Sequence, residues 1–90
     1  MDFIYETNRI YCQDETGKLL AEITFPVLDS RTVNINHTFV DDSLRGQGIA
    51  GKLMLAAVES IRSQGKKALP TCSYAADWFG KHPECHDLLK

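Results

Sequence analysis

Arg45-Gly46-Gln47-Gly48-Ile49-Ala50-Gly51-Lys52 is the stretch on which the fold turns, because the hydrophobic period differs on its two sides. Upstream, Val33, Ile35, His37 and Phe39 alternate with Asn34, Asn36, Thr38 and Val40, the period of two that a strand requires. Downstream, Ala50, Leu53, Met54, Ala57, Val58 and Ile61 recur at helical spacing, with Lys52, Glu59, Arg62 and Ser63 on the other side. This predicts an amphipathic helix of about four turns that closes near Gly65. Lys67 to Cys72 reads as a further short strand, ended or bulged by Pro70. Strand, helix, strand in that order implies a right-handed crossover with the two strands parallel.

Working outward, Leu19, Ala21, Ile23 and Phe25 alternate with Lys18, Glu22 and Thr24 and give another strand. Phe3 to Gln13 reads as a strand before it, folded back as a hairpin by Asp14-Glu15-Thr16-Gly17. Pro26 and Asp29-Ser30 mark the connection to Val33. Ala75 to Lys81 makes a short helix that stops before Pro83, and Glu84 to Leu89 a final turn. The expected fold class is α+β, with a mixed, mostly antiparallel sheet and one β-α-β crossover, in a single domain over residues 1–90.

Composition bounds the function. Ninety residues with 43% hydrophobic and 24% charged side chains can fold around one small core, which places a ligand in a surface groove and not in a deep chamber. Ten Lys and Arg against twelve Asp and Glu give a net charge of −2, and no run of like charges forms the footprint of a nucleic-acid binder. No apolar run approaches the length of a membrane span, and the acidic start, with Asp2 and Glu6, is unlike a secretory leader. Cys12, Cys72 and Cys85, an odd number at irregular spacing, fit free thiols in a reducing cytoplasm.

The glycine stretch satisfies three patterns. Gly46 with Gly51-Lys52 has most of a P-loop, but Leu53 stands where a magnesium-holding Ser or Thr belongs. Gly46, Gly48 and Gly51 match a dinucleotide fingerprint, yet the window around Thr71 holds no acid for the ribose, and the loop before the helix is too long. The third pattern is Arg or Gln, two residues, Gly, one residue, then Gly or Ala, met by Arg45, Gly48 and Ala50. Its physics stands apart from any motif. Glycines let successive N–H groups converge, and the following helix start adds unpaired donors and the positive end of its dipole. A pyrophosphate can be held there without a lysine cluster. The plainer alternative is a tight strand-to-helix connection that binds nothing.

That third pattern, with Val40 through Leu53 around it, resembles the GCN5-related N-acetyltransferase (GNAT) family. The resemblance runs from about Asn34 to His82, through Ser73-Tyr74-Ala75-Ala76, and is closest to small members of about ninety residues that keep the minimal core. It implies acetyl-coenzyme A as the ligand. The pyrophosphate would rest on Arg45, Gly46, Gln47, Gly48, Ile49, Ala50 and Gly51, and the pantetheine beside Thr38, Phe39 and Val40, paired like an added strand. It also implies that the two parallel strands diverge to open a slot for the thioester. Larger members carry two helices after the first strand and two late strands that build the acceptor site, and this chain shows neither. The missing wall implies a homodimer or a protein acceptor. Where such members have a late tyrosine as general acid, this chain reads Trp78-Phe79-Gly80.

Three residues are candidates for chemistry. Cys72 ends the strand parallel to the one beside the pantetheine, ahead of a helix start that favours a thiolate, so it is an acyl-accepting nucleophile, a site of mixed disulfide with coenzyme A, or an inert thiol. Tyr74 is the nearest hydroxyl to protonate a leaving thiolate. His37 is a general base for the amine, or a hydrogen-bonded histidine of the core or groove. Trp78 and Phe79 read as packing of the last helix. His82, Cys85 and His86 with Cys72 match no usual zinc spacing, so no metal is expected. Two function classes stay open: an acyltransferase moving acetyl from coenzyme A to an amine, and a non-catalytic acyl-coenzyme A or coenzyme A binding or interaction module.

Overall fold

Three hairpins take up the first 35 residues. The computed structural model describes residues 2–90. Strand β1 (Ile4–Glu6) turns at Thr7-Asn8 into β2 (Arg9–Gln13), which pairs antiparallel with β3 (Leu19–Thr24). Phe3 to Gln13 is thus two short strands and not one. At the second turn Gly17 takes a φ of 89°, and the Asp14 carboxylate accepts from Thr16 N at 2.8 Å and Lys18 N at 3.0 Å.

The segment expected as a connection, Val27–Asp29, is a strand too, β4, antiparallel to β5 (Thr32–Ile35). Helix α1 (Ile49–Ser63) then crosses over to β7 (Lys67–Pro70), which runs parallel to β5. The buried stripe of α1 starts at Ile49, with Ala50 only half-buried, and otherwise follows the predicted one. Helix α2 (Ser73–Lys81) and a 3-10 turn (Pro83–Leu88) close the chain. No helix among the described residues is long and apolar enough to cross a membrane.

The expected strand Val33–Val40 is two strands in two sheets. Strand β6 (His37–Val40) leaves β7 and pairs antiparallel with β3, giving one sheet in the order β1-β2-β3-β6 and another in the order β4-β5-β7. The break is at Asn36. The Ile35 carbonyl accepts from Thr71 N at 3.0 Å and Cys72 N at 3.2 Å, the last bonds toward β7, whereas Asn36 N already donates to Thr24 O at 3.3 Å. Thr24 Oγ1 also donates to Asn36 Oδ1 at 2.6 Å, which pins the kink. In consequence the faces expected for this segment are corrected: Val33 and Ile35 are buried, but His37 and Phe39 turn to the exposed side, and Thr38 and Val40 face inward.

One core serves both sheets. Ile10, Ile23 and Phe25 from the first sheet and Val33, Ile35 and Ala68 from the second meet Leu53, Met54, Ala57 and Ile61 of α1. Ala75, Trp78 and Phe79 of α2 close the end, so both aromatics are packing residues as expected. Full burial of such side chains, about 1.5–3 kcal/mol each, fixes α1 across the sheets and therefore fixes where its N-terminus points.

Candidate functional site

The N-terminus of α1 is presented by a loop built in two steps. Asp41 caps a 3-10 turn over Asp42–Leu44, its side chain accepting from Ser43 N at 3.0 Å and Ser43 Oγ at 2.6 Å. These bonds, those of the Ser43 hydroxyl first, hold the Asp41 carboxyl below its ordinary range. Gly46 and Gly48 then take φ of 81° and 70°, the left-handed region that costs other residues about 1–2 kcal/mol. Gly48 is the N-cap, and a glycine offers no side chain to cap with. The first turn carries no acidic residue.

Beside this start lies an open cavity of about 270 Å³ lined by Val40, Leu44, Arg45, Gly46, Gly48, Ile49 and Ala50. Gln47 is exposed at its edge. The Arg45 guanidinium lies on the surface, 2.8 Å from Asp42 Oδ1 by its Nε. The cation is thus held at the rim, on a pair weak enough to exchange. The cavity thus joins apolar side chains, the uncapped start of a helix and one cation at its rim.

From this cavity β6 leads to the gap opened by the split. Thr38 Oγ1 lies 3.6 Å from Cys72 Sγ across it. Cys72 is the N-cap of α2, and its sulfur accepts from Ala75 N at 3.4 Å. Tyr74 reaches back toward α1: its hydroxyl is 4.0 Å from where a Cβ on Gly51 would stand. Burial pushes the Tyr74 phenol above its ordinary value, more than the neighbouring Lys81 lowers it, so it stays protonated at neutral pH. Among the predicted residues, Val40, Arg45, Gly46, Gly48, Ile49 and Ala50 line the cavity, Thr38 and Cys72 meet at the gap beyond it, and Tyr74 stands at α1.

His37 and Phe39 lie on the other side of β6. His37 is half exposed, and its Nε2 is 3.3 Å from Glu22 Oε1. It is not a core histidine: the kink at Asn36 turned it out. Glu22 escaped the sequence reading because its relation to His37 runs between strands, and no local spacing encodes it. The remaining histidines have structural partners. His82 stacks on Trp78 at 3.9 Å and lies 2.9 Å from Glu84, and His86 Nε2 lies 2.6 Å from Phe79 O. No group of three or more His, Cys, Asp or Glu among the described residues is arranged to hold a metal ion.

The fold is thus an α+β one in which a crossover helix with an uncapped start adjoins a strand split. The family model of the GCN5-related N-acetyltransferases matches residues 9–88, and the chain belongs to that family. It is 36% identical to a GCN5-like N-acetyltransferase candidate from Staphylococcus aureus, whose solution structure superposes with a TM-score of 0.80 over 99% of this chain and 87% of that one. It is also 33% identical to Protein NATD1 of Xenopus tropicalis over 63 residues, 70% of this chain and 58% of the relative. The match to human Protein NATD1 is likewise 33% and spans 56% of that protein. A GNAT family N-acetyltransferase from Escherichia coli, YhbS, solved in complex with CoA, shares the fold at a TM-score of 0.65 and 23% identity, over 80% of this chain and 44% of that one.

Proposed function

We propose that the chain is an acetyl-coenzyme A-dependent N-acetyltransferase, with the pyrophosphate on the Arg45–Gly51 loop and the pantetheine along Thr38, Phe39 and Val40. The observation that carries this reading is the start of α1: two left-handed glycines, no side-chain cap and an adjoining cavity that reaches Val40 at the end of β6. A loop serving only as a connection has no need to leave a helix start both uncapped and hollow.

Catalysis is then mostly placement. The thioester lies in the gap, and the amine nitrogen attacks its carbonyl, forming the C–N bond as the C–S bond breaks. His37 takes the proton from the amine, and Tyr74, kept protonated by its burial, gives one to the departing thiolate. A two-step route runs through Cys72: its thiolate attacks the carbonyl, coenzyme A leaves as the thiol, and the amine then takes the acetyl group from the Cys72 sulfur. Oxidised coenzyme A would instead form a mixed disulfide with Cys72 and release one coenzyme A thiol.

The second reading, a coenzyme A or acyl-coenzyme A binding module without turnover, is favoured by one contact, the Ala75 N–H given to the Cys72 sulfur, which employs that atom as a helix cap. Thiol release from acetyl-coenzyme A with a panel of amines separates the two. Turnover supports the transferase, and tight binding without turnover supports the module. Titration calorimetry with Gly48→Glu tests the loop itself: undiminished coenzyme A affinity would remove it from the site.

A further inference from the structure

The open face of the first sheet carries a linked set of charges that the cavity does not use. In register, Arg9 stands opposite Thr24 and Thr24 opposite His37, while Tyr11, Glu22 and Phe39 form the adjacent row. The Arg9 Nε binds Glu22 Oε2, its guanidinium lies 3.7 Å from the centroid of the Tyr11 ring, and its Nη1 is 3.5 Å from Glu6. The other Glu22 oxygen faces His37 Nε2 at 3.3 Å. Although no helix covers this face, the Glu22 side chain is only 16% exposed. Its carboxylate is therefore fixed from one side by an arginine that is itself stacked, and its other oxygen is directed at the histidine.

We infer that Glu22 is the positioning residue of His37. The carboxylate accepts the proton on Nε2, so the lone pair is confined to Nδ1, and Nδ1 is the nitrogen that receives the amine proton. A carboxylate that orients an imidazole acts in the same way wherever the second ring nitrogen must stay basic. The Thr24–Asn36 side-chain bond also ties down the residue just before His37. His37 and Thr38 are consecutive and point to opposite sides of β6, the last strand of its sheet. A thioester in the gap would thus have the Thr38–Cys72 contact on one side and the imidazole on the other. The acceptor amine consequently enters from the open face, past Phe39 and Tyr11, and not from the side of the cavity.

The inference rests on the transferase reading for its use, but not for its geometry. Long-range 1H–15N correlation spectra of the neutral His37 ring report which nitrogen carries the proton. Wild type should show the Nε2–H form alone, and Glu22→Leu a mixture, whereas Cys72→Ser should keep the wild-type pattern. A mixture in wild type, or an unchanged spectrum in Glu22→Leu, overturns the assignment. In steady-state assays with acetyl-coenzyme A and an accepted amine, Glu22→Leu should lower kcat about 10- to 100-fold with coenzyme KM unchanged. A kcat within twofold of wild type overturns the positioning role. No turnover by wild type on any amine would refute the transferase reading, while the nitrogen assignment still stands or falls on the spectra.

Discussion

The two helices that follow the diverging strands begin in opposite ways. At α1 the N-cap is a left-handed glycine without a side chain, and the first turn opens on a cavity. At α2 the N-cap is Cys72, whose sulfur occupies an amide of the first turn. Both starts carry the same dipole and the same kind of unpaired donors. The difference lies in what fills them. One carries no side-chain cap, and the other is capped by the chain's own polarisable atom.

The largest effect should come from spoiling the empty start. Gly48→Glu forces a side chain into the left-handed region and brings a negative charge to the anion's place, so coenzyme A affinity measured by calorimetry should fall at least about a hundredfold. At the filled start the expected effect is chemical. After incubation with acetyl-coenzyme A or oxidised coenzyme A, intact-mass spectra should show one adduct on wild type and none on Cys72→Ala, and an adduct that persists in Cys72→Ala would move the nucleophile elsewhere.

A smaller effect separates the cap from the nucleophile. Serine caps helices well, so Cys72→Ser should unfold within about 1 kcal/mol of wild type in denaturant, while losing the adduct altogether. If Cys72→Ser were as destabilised as a core deletion, the sulfur would be chiefly a packing atom.

The contrast between the two starts was half legible in the sequence. The α1 loop announces itself because glycines and a change of period coincide at Arg45–Lys52, and tertiary packing has little room to override both. The start of α2 was legible to within two residues, with the helix expected from Ala75 and found from Ser73. The family resemblance implied that the two parallel strands diverge, but the residues do not mark where the split falls. Val33, Ile35, His37 and Phe39 carry a period of two straight through the break, and neither Gly nor Pro marks Asn36. Only the change of hydrogen-bond partner there, from β7 to β3, reverses the faces and turns His37 outward. Strand β4 was hidden by its shortness and by Pro26 just before it. The relation of Glu22 to His37 lies across a register that no window on a single segment contains.

Titration gives the smallest effects. Burial raises the Tyr74 phenol, so the folded state favours its protonated form, and the stability this contributes is complete below the unfolded value near 10. It is lost as pH rises through the higher folded value. The alkaline decline in stability should therefore be shallower in Tyr74→Phe than in wild type. Asp41 has the opposite sign: its carboxyl is held low, so the loop is supported above about pH 4 and loosens as pH falls through the lower folded value. In Asp41→Asn, coenzyme A affinity should lose that acid dependence while changing only a few-fold at pH 7.

The central claim, that the start of α1 is the anion site and the start of α2 is not, is open to one direct measurement. Backbone 1H–15N spectra of the 15N-labelled protein titrated with coenzyme A report each amide separately. The largest and saturable shifts should fall on Gly46, Gly48, Ile49, Ala50 and Gly51, with smaller ones along Thr38 to Val40 and the smallest at Ser73 to Ala75. Shifts centred on Ser73 to Ala75, or saturation without movement of the Gly46–Gly51 amides, would contradict it.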